Sequence, residues 1–265
     1  MTEQTVIEVT NVDAGYDSPV LENVSFTVRK GEVFVILGGS GCGKSTLLKH
    51  MIGLMPPLKG DIRIMGDRID GGSPQERERA LRRFGVTYQS GALFGSMTLL
   101  ENVCLPLESF TDLPSEARYL VAEMKLELVG LKEYAAFFPS EISGGMKKRA
   151  AIARAMALDP AILFLDEPSA GLDPVTSAGL DHLILRMRDT QGITVVMVTH
   201  ELPSIFAVAD RCIMLDKPTR SLLASGAPAA LRDRPPNAAV RAFFNREAAE
   251  TIRNGLSGTR LLNPS

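Results

Sequence analysis

The sequence predicts an α/β domain with a mostly parallel core sheet, an N-terminal antiparallel β part and a helical subdomain. Three observations favour this class. The apolar run 32–37 ends in glycines, as buried parallel strands do before a loop. The apolar runs 162–165 and 194–198 flank a stretch with helical spacing, about 175–189, and such β-α-β alternation predicts a parallel sheet. Apolar residues also recur at helical intervals between about 97 and 157.

The N-terminal β part is predicted from alternation. Val24, Phe26 and Val28 alternate with polar residues, which favours a half-buried strand, and residues 5–37 have β character throughout. A helix is predicted over 45–52, because its apolar residues have helical spacing and a glycine and two prolines follow it. The β part therefore leads through one buried strand into a helix.

The helices of the middle part are bounded by capping signals. The spacing predicts a helix over 116–129 that ends at Gly130, a residue suited to helix C-termini. A second helix, over 146–158, is predicted to start after Ser140 or Ser143 and to stop before a proline. These two helices make up most of the predicted helical subdomain.

The last part of the chain differs from the rest. A proline-containing break at 233–236 precedes a predicted amphipathic helix over 240–253, which carries Phe243 and Phe244. Residues 255–265 have the composition of a flexible tail. This C-terminal part is therefore predicted to be an appendage of the main domain.

Composition excludes several classes of protein. At 265 residues, 45% apolar and 23% charged, the chain suits one large globular domain, and its net charge of −2 gives no reason to expect nucleic acid as a partner. No apolar run approaches the ~18 residues of a spanning helix, so we expect the chain not to cross a membrane alone. Cys42, Cys104 and Cys212 lie far apart and are expected to be reduced thiols rather than disulfide partners or zinc ligands.

A glycine-rich segment gives the strongest functional signal. It consists of Gly38, Gly39, Ser40, Gly41, Cys42, Gly43, Lys44 and Ser45, and we call it the P-loop. It matches the phosphate-binding pattern in full, with a buried strand before it and a helix after it. Backbone N–H groups can curl around phosphates there, Lys44 can reach the β- and γ-phosphates, and Ser45 can offer its hydroxyl to Mg²⁺. A simple glycine-rich turn would not need this whole pattern.

Two acids end the next predicted core strand. Asp166 follows the apolar run 162–165 at a position where a carboxylate can hold Mg²⁺, and Glu167 comes one residue later, where it can act as general base on the attacking water. Acids often begin loops, so this pattern alone is weak. Together with a P-loop it predicts nucleotide hydrolysis.

A third segment precedes a basic helix. Ser143, Gly144, Gly145 and Met146 stand at the predicted helix start, where a serine and two glycines can form an anion site. Taken alone, the segment suits an ordinary capped helix. Its position shortly before Asp166 and Glu167 favours a functional role.

With these motifs in this order, nearly the whole chain resembles the ABC ATPases, whose fold is that of P-loop NTPases. The segment 142–146 resembles their signature motif, with Ile142 and Met146 in place of the usual Leu and Gln. These departures leave the Ser-Gly-Gly anion site intact. The resemblance assigns further positions: Tyr16 to stacking on adenine, Thr46 to nucleotide binding, Gln89 to Mg²⁺ and the attacking water, Asp173 to the D-loop (169–173) and His200 to the γ-phosphate.

The resemblance also implies a mechanism with ATP and Mg²⁺ as cofactors. Two copies of the chain are expected to face each other head to tail. ATP on the P-loop of one copy is then completed by the signature segment of the other. Closure assembles the site and hydrolysis reopens it, so the γ-phosphate shifts the population between open and closed pairs.

Two segments favour one group within this family. The stretch 89–94, together with 143–149 and the tail, is similar to the Mla-type ATPases, which drive phospholipid traffic in Gram-negative envelopes. This similarity implies an integral membrane permease, an MCE-domain lipid-binding protein and a small accessory subunit as partners. It also implies a peripheral location at the cytoplasmic face of the inner membrane. We expect 1–234 to form the nucleotide-binding domain, with 235–265 as a helix and tail that could contact the second copy.

Other members of the family remain alternatives at this point. The ATPase of an importer for a polar nutrient such as an amino acid has the same catalytic motifs, although its sequence after the glutamine usually differs. A lipid exporter is a further candidate. A soluble ABC ATPase without transport, such as one of the iron–sulfur assembly type, also has a single cassette.

Overall fold

The computed structural model describes residues 4–69 and 73–245. Strands within these ranges are β1 (Thr5–Gly15), β2 (Pro19–Arg29), β3 (Val33–Gly38), β4 (Lys59–Ile64), β5 (Asp67–Arg68), β6 (Phe84–Thr87), β7 (Ile162–Asp166), β8 (Thr194–Val198), β9 (Arg211–Asp216) and β10 (Ser221–Gly226). The helices are α1 (Lys44–Met51), α2 (Pro74–Leu81), α3 (Leu99–Phe110), α4 (Ser115–Leu128), α5 (Gly144–Ala155), α6 (Pro174–Gln191), α7 (Leu202–Val208), α8 (Pro228–Asp233) and α9 (Ala238–Asn245).

The strands form two sheets. The first has the order β2-β1-β4-β5 and is antiparallel. The second has the order β10-β9-β3-β8-β7-β6, and its neighbours pair in parallel except for β9 with β10. The predicted combination of an antiparallel N-terminal part with a mostly parallel core sheet is therefore confirmed.

The core sheet is buried on both faces, which explains its continuous apolar strands. Phe34 and Phe164 point to one face and pack in a cluster with the residues of the antiparallel sheet. Their strand neighbours Val33 and Leu163 belong to a second cluster, which joins the sheet to the helices. Successive side chains of β3 and β7 thus supply both cores.

The middle of the chain forms α3, α4 and α5, which pack on one another. Helix α4 lies one residue earlier than predicted and is followed by Gly130 with a φ of 74°, as its C-terminal position requires. Ser143, rather than Ser140, is the N-cap of α5. This helix ends at Ala155, three residues before the predicted end, because the chain turns back so that Ile162 can pair with β6.

Strand β10 (residues 221–226) was not predicted. It has only short apolar stretches, so its sequence gives little strand signal, yet it pairs with β9 along its length. Helix α9 covers the first part of the predicted helix 240–253. The rest of that helix, and the predicted tail 255–265, lie outside the described residues.

Four parallel strands end at the same edge of the core sheet and so place the predicted site. The P-loop follows β3, and Gln89 comes two residues after β6. Asp166 ends β7, and His200 comes two residues after β8. The carboxyl edge of an open α/β sheet is where ligands bind in such folds. Among the described helices, none combines the length and apolarity that a membrane crossing requires.

Candidate nucleotide site

The P-loop forms the turn from β3 into α1, and its backbone requires glycine. Gly43 is the N-cap of α1 with a φ of 100°, and a Cβ there would lie 2.9 Å from the Leu21 side chain. Both the left-handed backbone and this close approach exclude larger residues. Since Gly43 supplies no side-chain cap, the first N–H groups of α1 are available to an anion.

Lys44 lies across this loop. Its ammonium donates hydrogen bonds to the carbonyl oxygens of Gly38 at 2.9 Å and Gly39 at 3.1 Å, and the residue is only 9% exposed. The loop borders a cavity of about 590 Å³, a volume suited to a small-molecule ligand. The cavity is lined by Gly38, Gly39, Ser40, Gly41, Gly43, Lys44, Ser45, Thr46, Gln89, Glu167, His200 and Phe243.

A hydroxyl and a carboxylate meet beside the P-loop. The Ser45 hydroxyl lies 3.4 Å from Oδ1 of Asp166. Burial raises the pKa of Asp166, the neighbouring Glu167 carboxylate raises it further, and the Ser45 hydroxyl opposes both effects. Oxygen donors of this kind are the ligands that Mg²⁺ prefers, usually in combination with substrate phosphates. Among the described residues no group of three His, Cys, Asp or Glu side chains could hold a metal by itself.

Glu167 is the most constrained acid of the site. Its φ is 47°, and its N–H donates to the carbonyl of Val198 at 2.8 Å. One carboxylate oxygen accepts a hydrogen bond from Nδ1 of His200 at 2.8 Å. The other, Oε2, is buried and has no partner among the described residues. A carboxylate oriented by a histidine, with one oxygen unpaired beside a cavity, has the geometry of a general base.

Two predicted nucleotide-binding residues, Tyr16 and Cys42, do not line the cavity. The Tyr16 hydroxyl accepts a hydrogen bond from Lys49 at 3.0 Å, and the bond with Lys49 lowers the pKa of Tyr16. Its ring is about half exposed, so its face is open to stacking. The Cys42 side chain is buried beneath the loop, where burial raises the pKa of its thiol, so this residue can contact a ligand only through its backbone.

The signature segment lies apart from this cavity. Ser143 caps α5 by accepting a hydrogen bond from the Met146 N–H at 3.3 Å, and Ser143 and Gly144 are exposed. Gly145 is buried, and a Cβ there would lie 2.4 Å from the Thr176 side chain on α6. None of the residues 143–146 lines the nucleotide cavity of the described chain. The start of α5 is therefore open to the outside of the described chain at Ser143 and Gly144.

Asp173 caps α6. Its Oδ1 accepts hydrogen bonds from the N–H groups of Val175 and Thr176, each at 3.0 Å. The side-chain bond from Thr176 and these backbone bonds hold the pKa of Asp173 below its usual range. In the described chain Asp173 acts as a helix cap, and its predicted role toward a second copy stays a prediction.

Sequence analysis missed one wall of the cavity. Phe243, on α9, lines it together with the P-loop, Gln89, Glu167 and His200. Its neighbour Phe244 anchors α9 in the core, 5% exposed, and packs against Phe206 of α7. An apolar pair on an amphipathic helix indicates packing but not the surface that the helix will cover, so the sequence held no signal for this placement.

Comparison with known proteins gives one matching family and several relatives. The family described as ABC transporter matches residues 21–170. MlaF of Escherichia coli K12, the ATP-binding protein of an intermembrane phospholipid transport system, is 39% identical over 227 residues, which are 85% of this chain and 83% of MlaF. A probable ribonucleotide transport ATP-binding protein of Mycobacterium bovis, mkl, is 46% identical over 211 residues, which are 79% of this chain and 58% of mkl.

Solved structures are similar in fold. The dimeric ATP-binding cassette MJ0796, in a post-hydrolysis state with ADP and Pi, has a TM-score of 0.75 and 30% identity, and the match covers 83% of this chain and 98% of that one. The protein cbiO1 of Clostridium perfringens, part of the transporter complex cbiONQ, has a TM-score of 0.77 and 25% identity, covering 93% of this chain and all of that one.

Proposed function

The chain belongs to the ABC transporter family as an ATP-hydrolysing subunit, and we propose that within it the protein powers phospholipid transport through a partner permease. The predicted family and fold are confirmed, and the roles of the individual site residues are proposed below. One observation carries the proposal for the site: the P-loop, Gln89, Glu167 and His200, which are far apart in sequence, all line a single cavity.

ATP would occupy this cavity with its phosphates on the P-loop. Backbone N–H groups and the Lys44 ammonium would balance the phosphate charge, and Tyr16 would stack on the adenine. Mg²⁺ would be held by Ser45, Asp166 and Gln89 together with the phosphates, and it would offset the negative charge that develops during phosphoryl transfer. The close approach of the Ser45 hydroxyl to the Asp166 carboxylate supports this assignment.

Glu167 would accept a proton from the water that attacks the γ-phosphorus. Its Oε2 is buried with no partner among the described residues, and its Oε1 is fixed by His200, so the acid is oriented before substrate binds. The imidazole of His200 lines the cavity and is 56% exposed, and its Nε2, 3.7 Å from a carboxylate oxygen of Glu201, would turn to the γ-phosphate. Gln89 would position the same water.

A second copy of the chain would complete the site. Ser143, Gly144, Gly145 and Met146 would bind the γ-phosphate of the partner copy's ATP through the N-terminus of α5. Asp173 would contribute to the same interface from the start of α6. The similar cassette in its dimeric, ADP-bound state supports this arrangement.

The segment after Gln89 would meet the permease. The Arg154 guanidinium donates to the carbonyl oxygens of Ala92 at 2.8 Å and Gly91 at 3.0 Å, and Asn102 binds both the N–H and the carbonyl of Phe94. Arg154 also lies 5.9 Å from the centre of the Phe94 ring, which is 50% exposed. A rigid loop that presents an exposed aromatic ring is suited to anchor a protein partner.

Phospholipid is proposed as the cargo because MlaF, whose length this chain covers by 83%, belongs to an intermembrane phospholipid transport system. An MCE-domain protein, a small accessory subunit and a peripheral site at the cytoplasmic face of the inner membrane form part of the same proposal. The name of mkl favours a second candidate cargo, ribonucleotides. This relative has the higher identity, 46%, but the match covers a smaller share of its length than of MlaF. The two cargoes are chemically distinct, so one experiment separates them.

The test is purification of the tagged full-length chain from native membranes in mild detergent, with mass spectrometry of proteins and lipids. Recovery of a polytopic permease, an MCE-domain protein and bound phospholipid is expected. Phe94→Ala should lose the permease. Phe110→Ala is the matched control, since that ring is 45% exposed and likewise lies against an arginine, Arg82. A bound ribonucleotide other than ATP and ADP, in place of lipid, would favour the second candidate, and soluble partners alone would contradict transport.

A further inference from the structure

Lys148 connects two catalytic segments of its own chain. It lies on α5, five residues after Ser143, and its side chain turns away from the signature segment toward the core sheet. The ammonium donates hydrogen bonds to the carbonyl oxygen of Gln89 and, at 3.2 Å, to that of Glu167. One cation thus joins the segments that follow β6 and β7.

Both carbonyl oxygens belong to residues with proposed roles in hydrolysis. A hydrogen bond from a charged donor is roughly twice as strong as one between neutral groups, and it fixes the position of the acceptor. Burial lowers the pKa of Lys148, while the carboxylates of Asp166 and Glu167 oppose this shift. The half-buried ammonium therefore loses water contacts that the two carbonyl oxygens replace.

Glu167 needs such support because its backbone is left-handed, with a φ of 47°. Non-glycine residues keep this conformation only where the surroundings impose it. Its N–H is held by Val198 and its Oε1 by His200. Its carbonyl oxygen accepts hydrogen bonds from the Ala170 N–H and from the Lys148 ammonium, each at 3.2 Å. Lys148 therefore adds a charged donor to a carbonyl oxygen that a neutral N–H also binds. Among the described residues, Oε2 of Glu167 has no partner.

We propose that Lys148 is a positioning residue for hydrolysis, which holds Gln89 and Glu167 in the orientation that the attacking water requires. The proposal rests on the proposed ATPase site. It also gives α5 two functions, since one end would bind the partner's ATP while Lys148 organises the site of its own chain. Lys148 need not touch nucleotide, so its loss should change turnover and leave ATP affinity unchanged.

The test compares Lys148→Met and Lys148→Arg with wild type in the full-length chain. ATPase assays give kcat and KM, a fluorescent ATP analogue gives Kd, and thermal unfolding monitors the fold. Lys148→Met should lower kcat about 10-fold or more, with Kd changed less than about two-fold. Lys148→Arg should recover part of kcat, because it keeps the charged donor. Lys132→Met is the control, since Lys132 is a half-exposed lysine paired with Glu127 and lies outside the cavity.

A double-mutant comparison identifies the route of the effect. In single-turnover assays Lys148→Met should cost less in a Glu167→Gln background than in wild type, because its effect passes partly through Glu167. Unchanged kcat in Lys148→Met, an equal loss in both backgrounds, or a rise in Kd that matches the fall in kcat would each overturn the proposal. Wild-type turnover in the same assay tests the ATPase function separately, since its absence would refute that function whatever Lys148 does.

Discussion

The nucleotide cavity and the signature segment differ in how complete they are within one chain. The cavity is lined from four strand ends and holds acid, histidine, glutamine and P-loop together. The signature segment, 143–146, is a capped helix start with Ser143 and Gly144 exposed, and none of its residues lines the cavity. This separation is best explained by a second copy of the chain, whose signature segment would complete the nucleotide cavity of the first. Changes in the first region should therefore act within a subunit, and changes in the second should act between subunits.

The largest effect is expected from Glu167→Gln, in the complete region. Loss of the general base should lower kcat by about 10²-fold or more, while the phosphate and Mg²⁺ contacts remain. Steady-state ATPase assays and nucleotide binding measure the two quantities. Glu116→Gln, on the exposed start of α4, is the control and should change neither. A parallel loss of ATP affinity would contradict the role given to Glu167.

Lys44→Ala also changes the nucleotide cavity, and its expected effect is on ATP binding. Removing the ammonium that lies across the P-loop should weaken ATP affinity about 10-fold or more, since charge-assisted contacts to phosphate are lost. Equilibrium titration with a fluorescent ATP analogue provides the measurement. An affinity equal to that of wild type would show that Lys44 does not reach the phosphates.

Ser143→Arg tests the separated region. Nucleotide affinity of an isolated subunit should stay within about two-fold of wild type, because Ser143 lies outside its cavity. Turnover should be lost, since an arginine side chain would block the site that this segment completes in the partner copy. Ser115→Arg, at the exposed start of α4, is the matched control. Normal ATPase activity of Ser143→Arg would argue against a site shared by two copies.

The smallest effect is expected outside both regions, on the stability of the fold, at Asp181 on α6. Burial raises the pKa of this carboxyl, and the hydrogen bond from Ser204 at 2.9 Å only partly opposes the shift. A carboxyl whose folded pKa is raised costs stability as pH rises through that pKa. Asp181→Asn should therefore raise the unfolding temperature by about 2 °C or less at pH 7 and lose this advantage near pH 3.8.

Calorimetry at the two pH values checks this expectation, together with ATPase assays that should be unchanged. A lower unfolding temperature of Asp181→Asn at neutral pH would mean that the ionised carboxylate is stabilised by its surroundings. That result would contradict the proposed cost of burying the ionised carboxylate of Asp181.

The strongest predictions from sequence came from local patterns with a chemical reason. The P-loop, Asp166 and Glu167 were found because buried parallel strands give continuous apolar runs and their ends carry the polar residues. The structure places most of the P-loop and Glu167 on one cavity with Gln89 and His200, and Asp166 beside it, 3.4 Å from the Ser45 hydroxyl. Their catalytic roles remain predictions until the variants above are measured.

The features that sequence analysis missed depend on contacts between distant segments. The reach of Lys148 to Gln89 and Glu167 follows from how α5 packs beneath the sheet edge, and a pair of lysines after a capped helix start gives no sign of it. Phe243 has an apolar partner beside it, but only tertiary packing places it at the cavity. Helix α5 ends early because of strand pairing at Ile162, again a long-range effect.

The most direct test of the central claim mixes two inactive variants, Lys44→Ala and Ser143→Arg. In a mixed pair, one site combines both defects and the other combines an intact P-loop with an intact signature segment. If two copies share each site, single-turnover hydrolysis should rise to about a quarter of the wild-type amount, because half of the pairs are mixed and one of their two sites is whole. Hydrolysis that stays at the sum of the separate variants would contradict a shared site.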